Sequence, residues 1–71
     1  MWIKIIEKLY NLNHYYMISK DLDECESYQS FVIKLHYKSR DKNFNYQRFE
    51  YKAESKRDEE FNKILYNLLE Q

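Results

Sequence analysis

Three features of the 71-residue chain predict an α+β fold, a small antiparallel β-sheet of four or five strands with one C-terminal amphipathic helix packed on one face. Apolar and polar residues alternate along 29-QSFVIKLHYKS-39, the period of a half-buried strand. A second aromatic run, 44-FNYQRFEYKA-53, returns after Asp41 and Asn43, residues that form turns without glycine because they bond their own backbone. From Phe61 the period changes: Phe61, Ile64, Leu65 and Leu68 fall at helical spacing, and Leu69 widens the stripe.

Each element follows in chain order. Trp2, Ile5, Ile6, Leu9 and Leu12 approximate helical spacing, but Met1 leaves no room for an N-cap and β-branched and aromatic residues dominate the segment. Short strands near 2–6 and 8–12, an Asn11/Asn13 turn and a third strand over 15–20 are therefore expected. The acidic 21-DLDECES-27 reads as an exposed connector. In the next strand Phe31, Ile33, Leu35 and Tyr37 share the inner face, while Val32, Lys34, His36 and Lys38 share the outer one. The returning run has split parity, with Phe44 and Tyr46 on one side and Phe49 and Tyr51 on the other. A β-bulge near Gln47 and Arg48 would turn all four inward; without it, Phe44 and Tyr46 lie beside Lys34 and His36. The helix is expected over 56–70, with Ser55 and Asp58 as a capping box and Asp58, Glu59 and Glu60 favoured by the helix dipole.

Size and composition restrict what the chain does. Residues 1–71 make one small domain, which buries only about 60% of the surface its unfolded chain exposes, and a core of this size rarely supplies more than ~3–5 kcal/mol. A single cysteine rules out an internal disulfide. Cys25, His14 and His36 lack the paired spacing of zinc ligands, so neither a metal nor another cofactor is expected. Self-association is the remaining source of stability, and a homodimer is expected.

Glycine and proline are both absent. Phosphate-cradling loops, the dinucleotide fingerprint and the G-x-S-x-G elbow all need glycine, so these chemistries are excluded. The segment MWIKIIEKLYNLNHYY has no continuous apolar stretch of about 7–15 residues and does not read as a signal peptide. No run approaches the ~20 apolar residues of a membrane span. A cytoplasmic protein without membrane contact is the expectation.

The opening MWIKI, the following LYNLN, the extended YYMISKD, the strand SFVIKLHY and the final ESKRDEEFNKILYNLL together resemble small phage and mobile-element proteins. The resemblance spans nearly the whole chain and implies a sheet with one C-terminal helix. It also implies a function: such proteins often bind and inhibit a host factor, and some counter antiviral defences. The chain departs from that pattern in lacking glycine at its turns.

Formal net charge is zero, which excludes a strongly basic nucleic-acid binder or an acidic DNA mimic by overall charge. Locally, residues 34–52 carry six basic residues against two acids, whereas 1–33 and 53–71 each carry three against five. Lys34, His36, Lys38, Phe44, Tyr46 and Arg48 thus form a candidate basic, aromatic face for a nucleotide or single-stranded nucleic acid. Rings would stack on bases at ~1–3 kcal/mol each while cations neutralise phosphates. Catalysis is not expected: no serine is marked by a base, and Cys25 lies between Glu24 and Glu26, which disfavour a thiolate. A non-enzymatic interaction protein is the first reading. Trp2, Ile3, Tyr10, Val32 and Tyr66 exceed what one helix can hide, so they are the candidate interface.

Overall fold

The computed structural model describes residues 1–38 and 45–70. The elements are β1 (Trp2–Ile5), β2 (Lys8–Asn11), a 3-10 turn at Leu12–His14, β3 (Tyr15–Cys25), β4 (Tyr28–Tyr37), β5 (Tyr46–Tyr51) and α1 (Glu54–Leu69). Among the described residues the five strands divide into two antiparallel sheets, β1-β2 and β3-β4-β5, with the helix packed against them. The fold is therefore α+β. Its strands are shared between two sheets because the chain turns at Leu12–His14, where the Asn11 side chain accepts from the Asn13 backbone N–H at 3.1 Å.

Strand β3 corrects one expectation. Residues 21–25 are not a connector but continue the strand, paired in register from Met17↔His36 to Cys25↔Tyr28. Asp21 and Asp23 alternate with Lys20 and Leu22, so both aspartates fall on the outer face of the strand. A turn over residues 26–27 then leads into β4.

β4 is central in the larger sheet, and its neighbours determine its burial. Ile33 and Leu35 are fully buried on the inner face; Phe31 and Tyr37 are half-buried there. β5 pairs with β4 without interruption from Phe31↔Tyr51 to His36↔Tyr46, so no bulge interrupts Gln47 and Arg48. The turn at Asp41 and Asn43, like Phe44, lies outside the described residues.

The inner face is covered twice. Ile3 and Ile5 of β1 enter the same buried cluster as Ile33, Leu35, Phe49 and Ile64 of the helix. Tyr10 meets Phe49 edge-on, with ring centroids 5.1 Å apart, a geometry worth about 0.5–1.5 kcal/mol beyond area burial. Full burial of each aliphatic side chain contributes roughly 1.5–3 kcal/mol before entropy is counted. The Tyr51 hydroxyl lies beneath this layer with no hydrogen-bond partner among the described residues, and burial, reinforced by Glu60, pushes its pKa up to about 12.

Helix α1 begins at Glu54, so Ser55 is already helical and does not cap it. Ala53 is the N-cap and supplies no side-chain hydrogen bond. What fixes this end is Arg57. Its Nη1 donates to the Asp21 carbonyl at 3.0 Å, its Nε and Nη2 donate to Asp58, and its guanidinium lies 5.5 Å from the Phe31 ring centre. Ile64 is buried while Phe61 and Leu68 are partly so, but Leu65 and Leu69 are exposed, which narrows the expected stripe.

The β1-β2 connection is a two-residue turn, Ile6-Glu7, between the paired Ile5 and Lys8. Such turns need positive φ at their first residue and normally use glycine there. Here Ile6 takes it, at φ 59°, a conformation that costs a β-branched residue of order 1–3 kcal/mol. Ile6→Gly is expected to raise the unfolding free energy by about 1 kcal/mol in equilibrium denaturation, and an unchanged or lower value would show that the turn is not strained.

Candidate functional site

Two surfaces remain outside the core. The first is the outer face of β3-β4-β5, where the unbroken register brings Lys34, His36, Tyr46 and Arg48 together. His36 lies between Tyr16, at 6.0 Å, and Tyr46, at 5.7 Å, by ring centroids. The Lys34 ammonium lies 4.5 Å from the centre of the Tyr46 ring. Lys38 is exposed just beyond β4, its backbone N–H donating to the His14 carbonyl at 3.0 Å. Phe44 falls outside the described residues.

The charge of this face differs from what the local sequence suggests. Asp23 of β3 accepts from Lys34 Nζ at 3.0 Å and from Arg48 Nε at 2.9 Å, and Arg48 also donates to Glu50 at 2.9 Å. Hydrogen bonds from Arg48 and then Lys34 hold the Asp23 carboxyl below its ordinary range. For Lys34, partial burial opposes ionisation, but the Asp23 hydrogen bond and the attraction of Asp23 and its other neighbours together outweigh it, and the ammonium is stabilised. The two cations reach Asp23 diagonally, across the Val32 row of the register. Val32 is thereby fully buried on a face that alternation alone assigns to solvent.

Ser19, His36 and Asp21 also meet on this face. Ser19 Oγ lies 2.8 Å from His36 Nε2 and donates to Asp21 Oδ2 at 2.6 Å. A hydroxyl has one proton to give, and Asp21 takes it, so His36 is the donor to Ser19. In nucleophilic triads the imidazole instead accepts the serine proton. The arrangement serves to hold the imidazole between the two tyrosines.

The second surface is the solvent side of the β1-β2 hairpin. The pairs Trp2↔Asn11 and Lys4↔Leu9 place Trp2 and Leu9 diagonally on one face. Trp2 is 59% exposed and Leu9 65%. At its tip Ile6, 58% exposed, lines two open clefts. One, of about 300 Å³, lies against Tyr10, Gln47 and Phe49; the other, of about 270 Å³, lies against Lys4, Glu60 and Lys63.

The expected interface set is thus divided. Trp2 and Tyr66 are exposed, but Ile3 and Val32 are buried and Tyr10 packs on Phe49, so these three are core. Ile3 and Tyr10 are hidden because the hairpin folds back as a second cover; Val32 is hidden by the ion pairs. Leu9 and Ile6, absent from that set, are exposed apolar residues of the hairpin alongside Trp2. Compared with known proteins, the chain matches no described family, no curated protein and no solved structure. Among the described residues no helix is long and apolar enough to cross a membrane.

Loss of Asp23 should have two measurable effects. Because its carboxyl is held below its ordinary range in the folded state, the unfolded chain binds the proton more tightly, and stability falls as pH drops below about 4. Asp23→Asn is expected to flatten that acid limb and to cost up to ~1 kcal/mol at neutral pH, the range of partly exposed ion pairs. Denaturation curves taken across acid pH check this; an unchanged limb would remove Asp23 from the network.

Proposed function

We propose that the chain is a non-enzymatic interaction protein, a homodimer that binds another protein through the solvent face of its β1-β2 hairpin and inhibits it by occlusion. The observation that carries this reading is the pairing of exposed Trp2 and Leu9 on one sheet face, next to an exposed Ile6 held in a strained turn. Large apolar side chains left together in water mark interaction surfaces, and tryptophan is enriched among their anchors. Strain retained at an exposed isoleucine fits an anchor presented to a partner better than a turn optimised for folding. Lys4 lies on the same face as Trp2 and Leu9, so an apolar partner surface with an acidic rim complements it. The resemblance to small phage proteins supplies the form of the activity, inhibition of a host factor, including one used in antiviral defence.

A second reading, binding of a nucleotide or single-stranded nucleic acid, draws on the row Tyr16, His36 and Tyr46. Stacking is available there. Phosphate attraction is weakened because Lys34 and Arg48 are already paired with Asp23 and Glu50.

Affinity capture from the cells that make the protein separates the two. The expected result is one protein retained by the unaltered chain and by Lys34→Glu/Lys38→Glu, and lost at least about tenfold with Trp2→Ser/Leu9→Ser, the scale of an interface hot spot. Both hairpin positions are exposed, so that variant should keep its folded circular dichroism. Salt-sensitive retention of nucleic acid, abolished by the lysine changes, would overturn the protein-binding reading in favour of the second.

A further inference from the structure

Strand β3 has β4 on one side and no strand on the other among the described residues. It is the longest strand, Tyr15–Cys25, and its free edge contains no proline. Long open edges are templates for pairing with another chain, which proteins usually blunt with lysine, proline or bulges. The one lysine here, Lys20, does not stand out from the edge. Its ammonium is drawn back to Asp58 of its own helix at 3.4 Å and lies 5.6 Å from the Phe61 ring centre. The bulge is confined to one end, between Tyr15 and Met17.

We infer that this edge pairs antiparallel with the same edge of a second copy, centred on Lys20, to form a continuous six-stranded sheet. The inference rests on the proposed homodimer and assigns its interface and register.

Register follows from symmetry and charge. A two-fold axis that keeps both helices on one side of the sheet pairs inner residues with inner ones, so it must pass through a residue. The strand is regular from Met17 to Cys25, with Asp21 at its middle, and Lys20 is the nearest centre that keeps the acids apart. Centred there, Asp21 faces Ser19, Asp23 faces Met17 and Ile18 faces Leu22, so no acid opposes an acid. Centring on Asp21 or Leu22 would set Asp21 against itself or against Asp23. Centring on Ser19 or Ile18 would draw the bulge toward the middle and shorten the regular paired stretch. The two Lys20 side chains meet at the axis, each already accompanied by its own Asp58.

The apolar surface agrees independently. Arg57 contacts Asp21 and Phe31 whereas Phe61 meets Lys20, so the helix advances toward the residue-15 end of β3. Leu65 lies two turns beyond Asp58 on the same stripe, and Leu69 three turns beyond, which places both on the β3 side of the helix. Leu65 is 42% exposed; Leu22, on the inner face, is 44% exposed. Setting Leu22 of one copy opposite Ile18 of the other brings it beneath the Leu65 side of that copy's helix. Each copy thus covers an apolar residue the other leaves in water, while the hairpin face with Trp2 stays free for a different protein.

Cysteine cross-linking in a Cys25→Ser background tests the register, with sedimentation as the companion measurement. Lys20→Cys puts two thiols opposite each other at the axis, with Cα atoms about 4.5–5.5 Å apart, within disulfide reach. Leu22→Cys puts them four residues out of step, about 13 Å apart. The expected result is a particle of twice the 9.0 kDa chain mass, rapid disulfide dimer formation at position 20, and at least about tenfold slower formation at position 22. Equal or faster cross-linking at position 22 would overturn the register. A dimer dissociated by Trp2→Ser but not by Leu22→Glu or Leu65→Glu would overturn the β3 edge and leave self-association standing. A chain that sediments as a monomer would overturn both.

Discussion

The structure depends on burying one face of the β3-β4-β5 sheet, and neither available cover is large enough alone. A single helix is only about 10–12 Å across, too narrow to shield three strands set about 4.8 Å apart together with the side chains of the two flanking strands. The β1-β2 hairpin supplies the rest by sending Ile3 and Ile5 into the cluster that holds Ile33, Leu35, Phe49 and Ile64. An isolated two-stranded hairpin is marginal in water, so the dependence runs both ways. The sheet needs the hairpin as a cover, and the hairpin needs the sheet to persist.

That mutual dependence shapes the surface as well. Because the hairpin is only two strands wide, every residue that alternates away from the core faces solvent, which exposes Trp2 and Leu9. Because its turn is only two residues long in a chain without glycine, Ile6 is forced into the left-handed region. On the opposite side of the molecule the outer sheet face closes over itself with charges instead of apolar residues. Asp23, Lys34 and Arg48 tie three strands together and dry Val32 beneath them. The molecule thus has an exposed apolar, strained end and a neutralised sheet face.

Much of this was legible in the residues. Alternation in β4 identified Ile33 and Leu35 as core, and helical spacing identified Ile64, because both are local patterns read on a single element. Apart from the misplaced helix start at Ser55, the failures are matters of neighbours. Asp21 and Asp23 look like loop residues, since acids are depleted in strands, yet both lie on the outer sheet face, where Asp23 binds Lys34 and Arg48 and Asp21 accepts from Ser19. Summing charge along residues 34–52 gave a basic face, since a linear count cannot see that Asp23 from β3 crosses to neutralise it. Ile3 and Tyr10 looked surplus to a one-helix cover because nothing local announces that the hairpin folds back as a second one. Arg57, which pins the helix to β3, sits among exposed charges in sequence, and only the Phe31 ring and Asp21 carbonyl beside it reveal its place.

The most direct test of the central claim is equilibrium unfolding of Ile5→Ala, followed both by Trp2 fluorescence, which reports the hairpin, and by far-ultraviolet circular dichroism, which reports the whole chain. If the hairpin is an integral cover, the variant loses about 2–5 kcal/mol, the range for truncating a buried isoleucine, and the two signals keep a common midpoint. If the hairpin is an appendage, Trp2 melts at lower denaturant while the circular dichroism transition stays where it is in the unaltered protein, and the account of a shared core is contradicted.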